Sequence, residues 1–329
     1  RKLPPQTVVA ADGGGGGARG ERRSGGAERS VRSVSLVGRS AVAAAAVASG
    51  WGDLGSLVQN TFGGTTWTPR LPSTAEEAYD GLLASLNYAC GEEKARIEVE
   101  LPPGFRLGFQ GVKDELRLVP EKDLSPERIA WADRELTAAI LLYFGEAPDL
   151  CIAFRTSQLA SAAKREWKSW GQSHILSLSS KGPRQRQSRP RSFADEEVLS
   201  PRDRLLAAVN KNGCKTLVVV APRSEQLRIL GEVDAELGQE TQVILVNPRL
   251  RGRSARDTEL RSTTAAGYDP VFHVRLEGAG GEGLVYRSVQ PDDKLYWFLA
   301  QRALPSVEPV QVSQGNSEPT DEEVAKAFP

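Results

Sequence analysis

The 329 residues carry 42 basic and 42 acidic side chains, so no net field draws the chain onto nucleic acid or an anionic membrane, and any such attraction must be local. Single cores stop growing at roughly 250–300 residues, which leaves room for one large domain or two small ones. No stretch approaches the ~18–20 apolar residues of a membrane-spanning helix. The three cysteines, Cys90, Cys151 and Cys214, form no CxxC pair, which argues against a zinc site or a disulfide scaffold and reads as buried thiols in a reducing compartment.

Between Arg1 and Gly52 stand eight basic residues against three acids, with a glycine tract from Gly13 to Gly17. So little apolar surface does not offset the entropy of ordering, and the Arg, Ser and Ala enrichment is that of an organelle transit peptide. Residues 1–70 therefore read as a disordered targeting leader, plastid or mitochondrial. A plain disordered tail, or a short export signal built on Arg39 and the Ala41–Ala48 run, are the alternatives. Residues 71–329 read as a single α/β domain.

Ser73 and Glu76 have capping-box spacing ahead of a helical stripe of Ala75, Ala78, Tyr79, Leu82, Leu83 and Leu86. Arg96 to Leu101 alternates, predicting a strand with Ile97, Val99 and Leu101 inside and Arg96, Glu98 and Glu100 on a wet face. Ser125-Pro126-Glu127 opens a core helix whose stripe is Ile129, Ala132, Leu136, Ile140 and Phe144. The run Asp149–Phe154 predicts a buried strand, followed by a helix around Leu159–Trp167.

Residues 164–191 hold eight Lys or Arg and one acid, and 168–198 reads as a basic mobile insertion. Its Lys181, Arg184, Arg186, Arg189 and Arg191 would suit a peripheral anionic membrane contact, each adding on the order of 1 kcal/mol. A capped helix from Ser200 to Gly213, a strand Thr216–Ala221, a helix Ser224–Gly238 and a strand Thr241–Val246 follow. Apolar runs without alternation imply a parallel sheet covered on both faces. Alternating segments at Val271–Glu277 and Leu284–Val289, and an apolar one at Leu295–Ala300, predict an antiparallel extension, and Thr320 with Glu323 caps a last helix. The expected fold is a Rossmann-like three-layer sheet with a parallel centre and an antiparallel C-terminal extension.

Gly278, Gly280 and Gly283 spell GxGxxG, but strands flank the motif where a dinucleotide site needs a helix after it, so it reads as a hairpin loop. With only His174 and His273 present, no histidine-rich metal site is possible; His174 falls in the basic loop and His273 on a solvated strand face with Arg275 and Glu277. No Walker lysine and no acid–base carboxylate pair is found, so no catalytic residue, metal or cofactor is assigned, and the reading leans away from an enzyme.

In open parallel sheets ligands bind beyond the carboxyl ends of the strands, where helix N-termini face anions. Three such ends carry Arg155 with Thr156 and Ser157, Arg223 with Ser224, and Asn247 with Arg249 and Arg251. The candidate site for a phosphorylated small molecule or nucleotide is thus Arg155, Thr156, Arg223, Ser224, Asn247 and Arg249. The N-cap role of Thr156 and Ser224 is the competing reading.

The stretches LPSTAEEAYDGLLASL, RIEVELPP, LCIAFRTSQLASAAKREW, TLVVVAPRSEQL, QVILVNPRL and GLVYRSVQPDDKLYWFL, across about residues 71–304, resemble a plastid and cyanobacterial family of domains of unknown function. That family includes the low-photosystem-II-accumulation assembly factors and a domain appended to a plastid adenylate kinase. The resemblance implies a chloroplast protein of the stroma or thylakoid surface, a non-catalytic photosystem assembly or thylakoid biogenesis factor with thylakoid or photosystem assembly proteins as partners. It carries over no site residues, and no specific nucleic-acid partner is expected. The alternative is an enzyme or sensor using the strand-end arginines.

Overall fold

The computed structural model describes residues 69–108, 124–145, 149–167, 174–179, 200–250, 266–278, 281–302 and 308–328, with Glu259, Ser262 and Thr263. Residues 1–68 of the leader, Arg251, and residues 168–173 and 180–198 of the basic stretch, with the five cations proposed for a membrane contact, lie outside the described residues. In chain order the elements are α1 (Ala75–Gly91), β1 (Arg96–Glu100), α2 (Pro126–Phe144), β2 (Leu150–Phe154), α3 (Ser157–Glu166), β3 (His174–Ser177), α4 (Pro201–Asn212), β4 (Thr216–Val220), α5 (Ser224–Leu237), β5 (Gln242–Val246), β6 (Asp269–Glu277), β7 (Gly283–Val289), β8 (Leu295–Gln301), β9 (Val310–Gly315) and α6 (Asp321–Ala327).

One nine-stranded sheet runs in the order β3-β2-β4-β5-β1-β6-β7-β8-β9. From β3 to β6 neighbouring strands are parallel, and from β6 to β9 they are antiparallel. The apolar runs are continuous because their two sets of side chains feed two cores. Ile152, Phe154, Val218, Val220, Ile244 and Val246 pack with α1, α2 and α3, whereas Cys151, Ala153, Leu217, Val219, Val243 and Leu245 pack with α4 and α5. A third small cluster of Val285, Trp297 and Leu299 lies under Val324 of α6. The architecture is the expected three-layer α/β sheet with a parallel core and antiparallel C-terminal strands.

Helix starts follow their caps. Ser125 accepts from Arg128 N at 3.1 Å ahead of Pro126, Ser200 accepts from Asp203 N at 3.1 Å, and Thr320 and Glu323 form a reciprocal capping box. At α1 the box is one residue later than the spacing suggested: Thr74 pairs with Glu77, whose carboxylate also accepts from Ser73. Two adjacent hydroxyls made both registers equally plausible in the sequence. Gly278, with φ at +81°, opens the β6–β7 hairpin connection as the loop reading of that glycine expects, Gly283 begins β7, and Gly280 lies outside the described residues.

Four local expectations are corrected. Glu98 and Glu100 do not face water: β1 lies between β5 and β6, and both carboxylates are buried. His273 is likewise buried on β6 rather than solvated. His174 is not in a loop but begins the edge strand β3, which Ile175 and Leu178 anchor by burial and whose residues pair in parallel with β2. Finally, Cys151 and Cys214 are joined in a disulfide with Cα atoms 6.0 Å apart, inside the usual bridging range, leaving Cys90 as the free thiol. Their 63-residue separation concealed the pairing that the adjacent strands β2 and β4 create. Burial pushes the Cys90 thiol up, against hydrogen bonds with Tyr143 and Gln242.

Candidate functional site

Strands β2 and β4 are neighbours, but the helices that follow them leave towards opposite edges and opposite faces: α3 leads out to β3, and α5 leads inward to β5. At such a switch point the sheet cannot cover its own strand ends, and a crevice is left. Here the crevice has a volume of about 390 Å³ and is bounded by Arg155 after β2, by Arg223 and Ser224 after β4, and by Asn247 and Arg249 after β5. Five of the six candidate residues therefore meet in one place. The sixth, Thr156, does not line the crevice; its hydroxyl accepts from Leu159 N at 3.3 Å and caps α3.

The strand ends are held by side chains rather than by regular backbone. Gln226 bridges the switch point: its Nε2 donates to Arg155 O at 2.8 Å while its Oε1 accepts from Arg223 N at 2.9 Å. Asn247 is a tether, with Oδ1 accepting from Leu101 N and Nδ2 donating to Asp133 Oδ1, each at 2.8 Å. Arg249 pairs with the same Asp133, and its backbone N donates to Glu100 Oε2 at 3.1 Å. Ala221, Asn247 and Arg249 all have positive φ, at 45°, 49° and 53°, a conformation disfavoured for residues with a Cβ and held only where surroundings over-determine it.

Helix α2 supplies the anchoring acids. Asp133 secures the β5 end, and Glu135 two residues on accepts from Gly108 N at 2.9 Å and faces Arg106 at 3.4 Å, securing the segment after β1. The Arg106 guanidinium also lies over the Trp131 ring at 3.4 Å. Asp133, Glu135, Gln226 and Glu100 escaped the sequence reading. The signal available was two carboxylates two residues apart in a helix flanked by alanines and leucines, where burial rather than solvation was implied by the neighbours.

The crevice brings together three guanidiniums and the carboxylate of Glu225. Burial lowers the Arg155 guanidinium below its ordinary value; Asp133 opposes this, and the nearby Arg249 and Arg223 guanidiniums push it further down. An arginine remains charged throughout the physiological range, so three guanidiniums meet here, two of them paired with Asp133 and Glu225, and an anion would add a partner for the third. Arg223 is the most accessible of them, its side chain 60% exposed and 3.8 Å from Glu225. Among the described residues lining the crevice there is no histidine, cysteine, lysine or aromatic ring.

A family profile described as a domain of unknown function, DUF1995, matches residues 72–326. No curated protein and no solved structure matches the chain.

Proposed function

This chain belongs to the DUF1995 family of domains of unknown function, and from that premise we propose that its strand-end crevice binds a phosphorylated, non-aromatic small molecule. The observation that carries the reading is the convergence of Arg155, Arg223 and Arg249 on one crevice at the switch point, beside the N-terminus of α5. Guanidiniums bind phosphate bidentately, and a helix N-terminus adds partial positive charge. A volume of about 390 Å³ lies at the small end of ligand cavities and suits a sugar phosphate. Among the described residues lining the crevice no aromatic ring is placed to stack a base, which makes a nucleotide the poorer fit.

The role is binding rather than turnover. Among the described residues the acids nearest the arginines are Asp133, committed to Arg249 and Asn247, and Glu225, paired with Arg223. Neither is held as a general base. Calorimetric titration of the full chain with sugar phosphates, inorganic phosphate and nucleotides tests the proposal. Saturable binding of a sugar phosphate that Arg223→Ala abolishes is expected; no phosphorylated compound binding below the millimolar range would end it.

A second reading, an assembly factor of the plastid stroma or thylakoid surface that holds a protein client, is supported by the family resemblance and by the sheet edge. There β9, the last strand of the sheet among the described residues, exposes Val310 and Val312, 69% and 52% accessible. Recovery of photosystem subunits from solubilised thylakoids by the immobilised chain, with no small-molecule binding, would favour this second reading over the first.

A further inference from the structure

We propose that Glu98, Glu100 and His273 form a binding site for a first-row divalent cation, on the face of the sheet opposite α1 and α2. Glu98 and Glu100 are two residues apart on β1 and therefore share one face, and His273 is the parallel partner of Glu100 on β6. One ligand atom from each of the three lies within 4.8 Å of the others. Bonds of roughly 2.0–2.2 Å place ligand atoms about 3–4 Å apart, a spread close to the one the three side chains already hold.

The residues are 2%, 8% and 0% exposed, so two carboxylates and an imidazole converge out of water, where a cation would be held strongly. This face is apolar under α4 and α5 and again under α6, with the polar row between them. The site is also braced as metal sites are: Arg249 N donates to Glu100 Oε2, and the His273 ring packs against Trp297 with centroids 5.3 Å apart. One imidazole nitrogen with two carboxylates selects Mn²⁺, Fe²⁺, Co²⁺ or Zn²⁺ over the all-oxygen preference of Mg²⁺ and Ca²⁺.

The test uses the full chain stripped with EDTA and titrated separately with Mn²⁺ and Zn²⁺. One equivalent should bind in the micromolar range and raise the melting temperature, and Glu98→Gln and His273→Asn should each weaken binding at least about tenfold. Should those variants fail to fold, pulsed EPR of the Mn²⁺-loaded chain decides. The chain has two histidines, so imidazole ¹⁴N coupling that persists in His174→Asn comes from His273. Binding no tighter than millimolar, or bound Mn²⁺ without imidazole coupling, would overturn the site.

Discussion

Asn247 and Asp133, 114 residues apart in sequence, are joined through a 2.8 Å hydrogen bond from the Asn247 amide, whose oxygen at the same time accepts from Leu101 N. One side chain thereby fixes the end of β5 to both α2 and β1, with φ at 49°. Removing it strands a buried N–H, at about 1–3 kcal/mol, and alanine adds about 1 kcal/mol for the left-handed backbone. Asn247→Ala should therefore lose roughly 2–4 kcal/mol by urea unfolding. Asn247→Gly should lose less, because glycine tolerates that φ. Equal losses would show that the backbone conformation is not under strain.

Arg223 and Arg249 should separate binding from stability. Arg223 is mostly exposed and, among the described residues, its guanidinium pairs with Glu225, so Arg223→Ala should abolish phosphate binding and leave the urea midpoint unchanged. Arg249 and Asp133 are 10% and 4% exposed, and truncating one partner of a buried pair costs about 3–5 kcal/mol because the other charge remains. Arg249→Ala should thus destabilise the fold by about that amount. A destabilised Arg223→Ala, or an Arg249→Ala of unchanged stability, would contradict the division of roles.

The sequence made the layers and most strand positions legible because apolar runs and helix caps are local signals. It misjudged β1 because alternation states that two faces differ in polarity, not that the polar face meets water. Only the sheet order, with β1 between β5 and β6, buries Glu98 and Glu100. The same non-local fact hid His273. Strand β9 was missed since Val310–Gly315 is largely exposed and polar at the edge, where pairing with β8 rather than burial defines it. The crevice was foreseen in outline from a topological rule, but its tethers were not, because Asp133 and Gln226 act across 114 and 71 residues.

The bond between Cys151 and Cys214 gives a direct chemical count. Thiol titration of the chain unfolded without reductant should find one reactive group, Cys90, and three after reduction. The loop closed by the bridge spans 63 residues, for which chain entropy corresponds to roughly 4 kcal/mol. Reduction should lower the melting temperature accordingly. Three thiols before reduction would remove the bridge from the native state.

The C-terminal helix α6 should loosen in acid. The Glu323 carboxyl is held below its ordinary value by the Thr320 backbone N–H and then by the Thr320 hydroxyl, 2.7 and 3.0 Å from Oε2. A depressed folded pKa means the cap stabilises fully above the ordinary glutamate range and is lost as pH falls through the lower, folded value. The helix is docked by Phe328, whose ring sits so close to Gly283 that an added Cβ there would lie 2.6 Å from Cδ2. Amide exchange across 321–328 should therefore accelerate, relative to β7, as pH is lowered through the folded pKa, after correction for the intrinsic pH dependence of exchange. Thr320→Ala should be faster at neutral pH and keep a weaker pH response, the part that the residue-320 backbone N–H carries, while Gly283→Ala should be fast at every pH with the cap intact. A helix equally protected in all three proteins would show that neither the cap nor the Phe328 contact holds it.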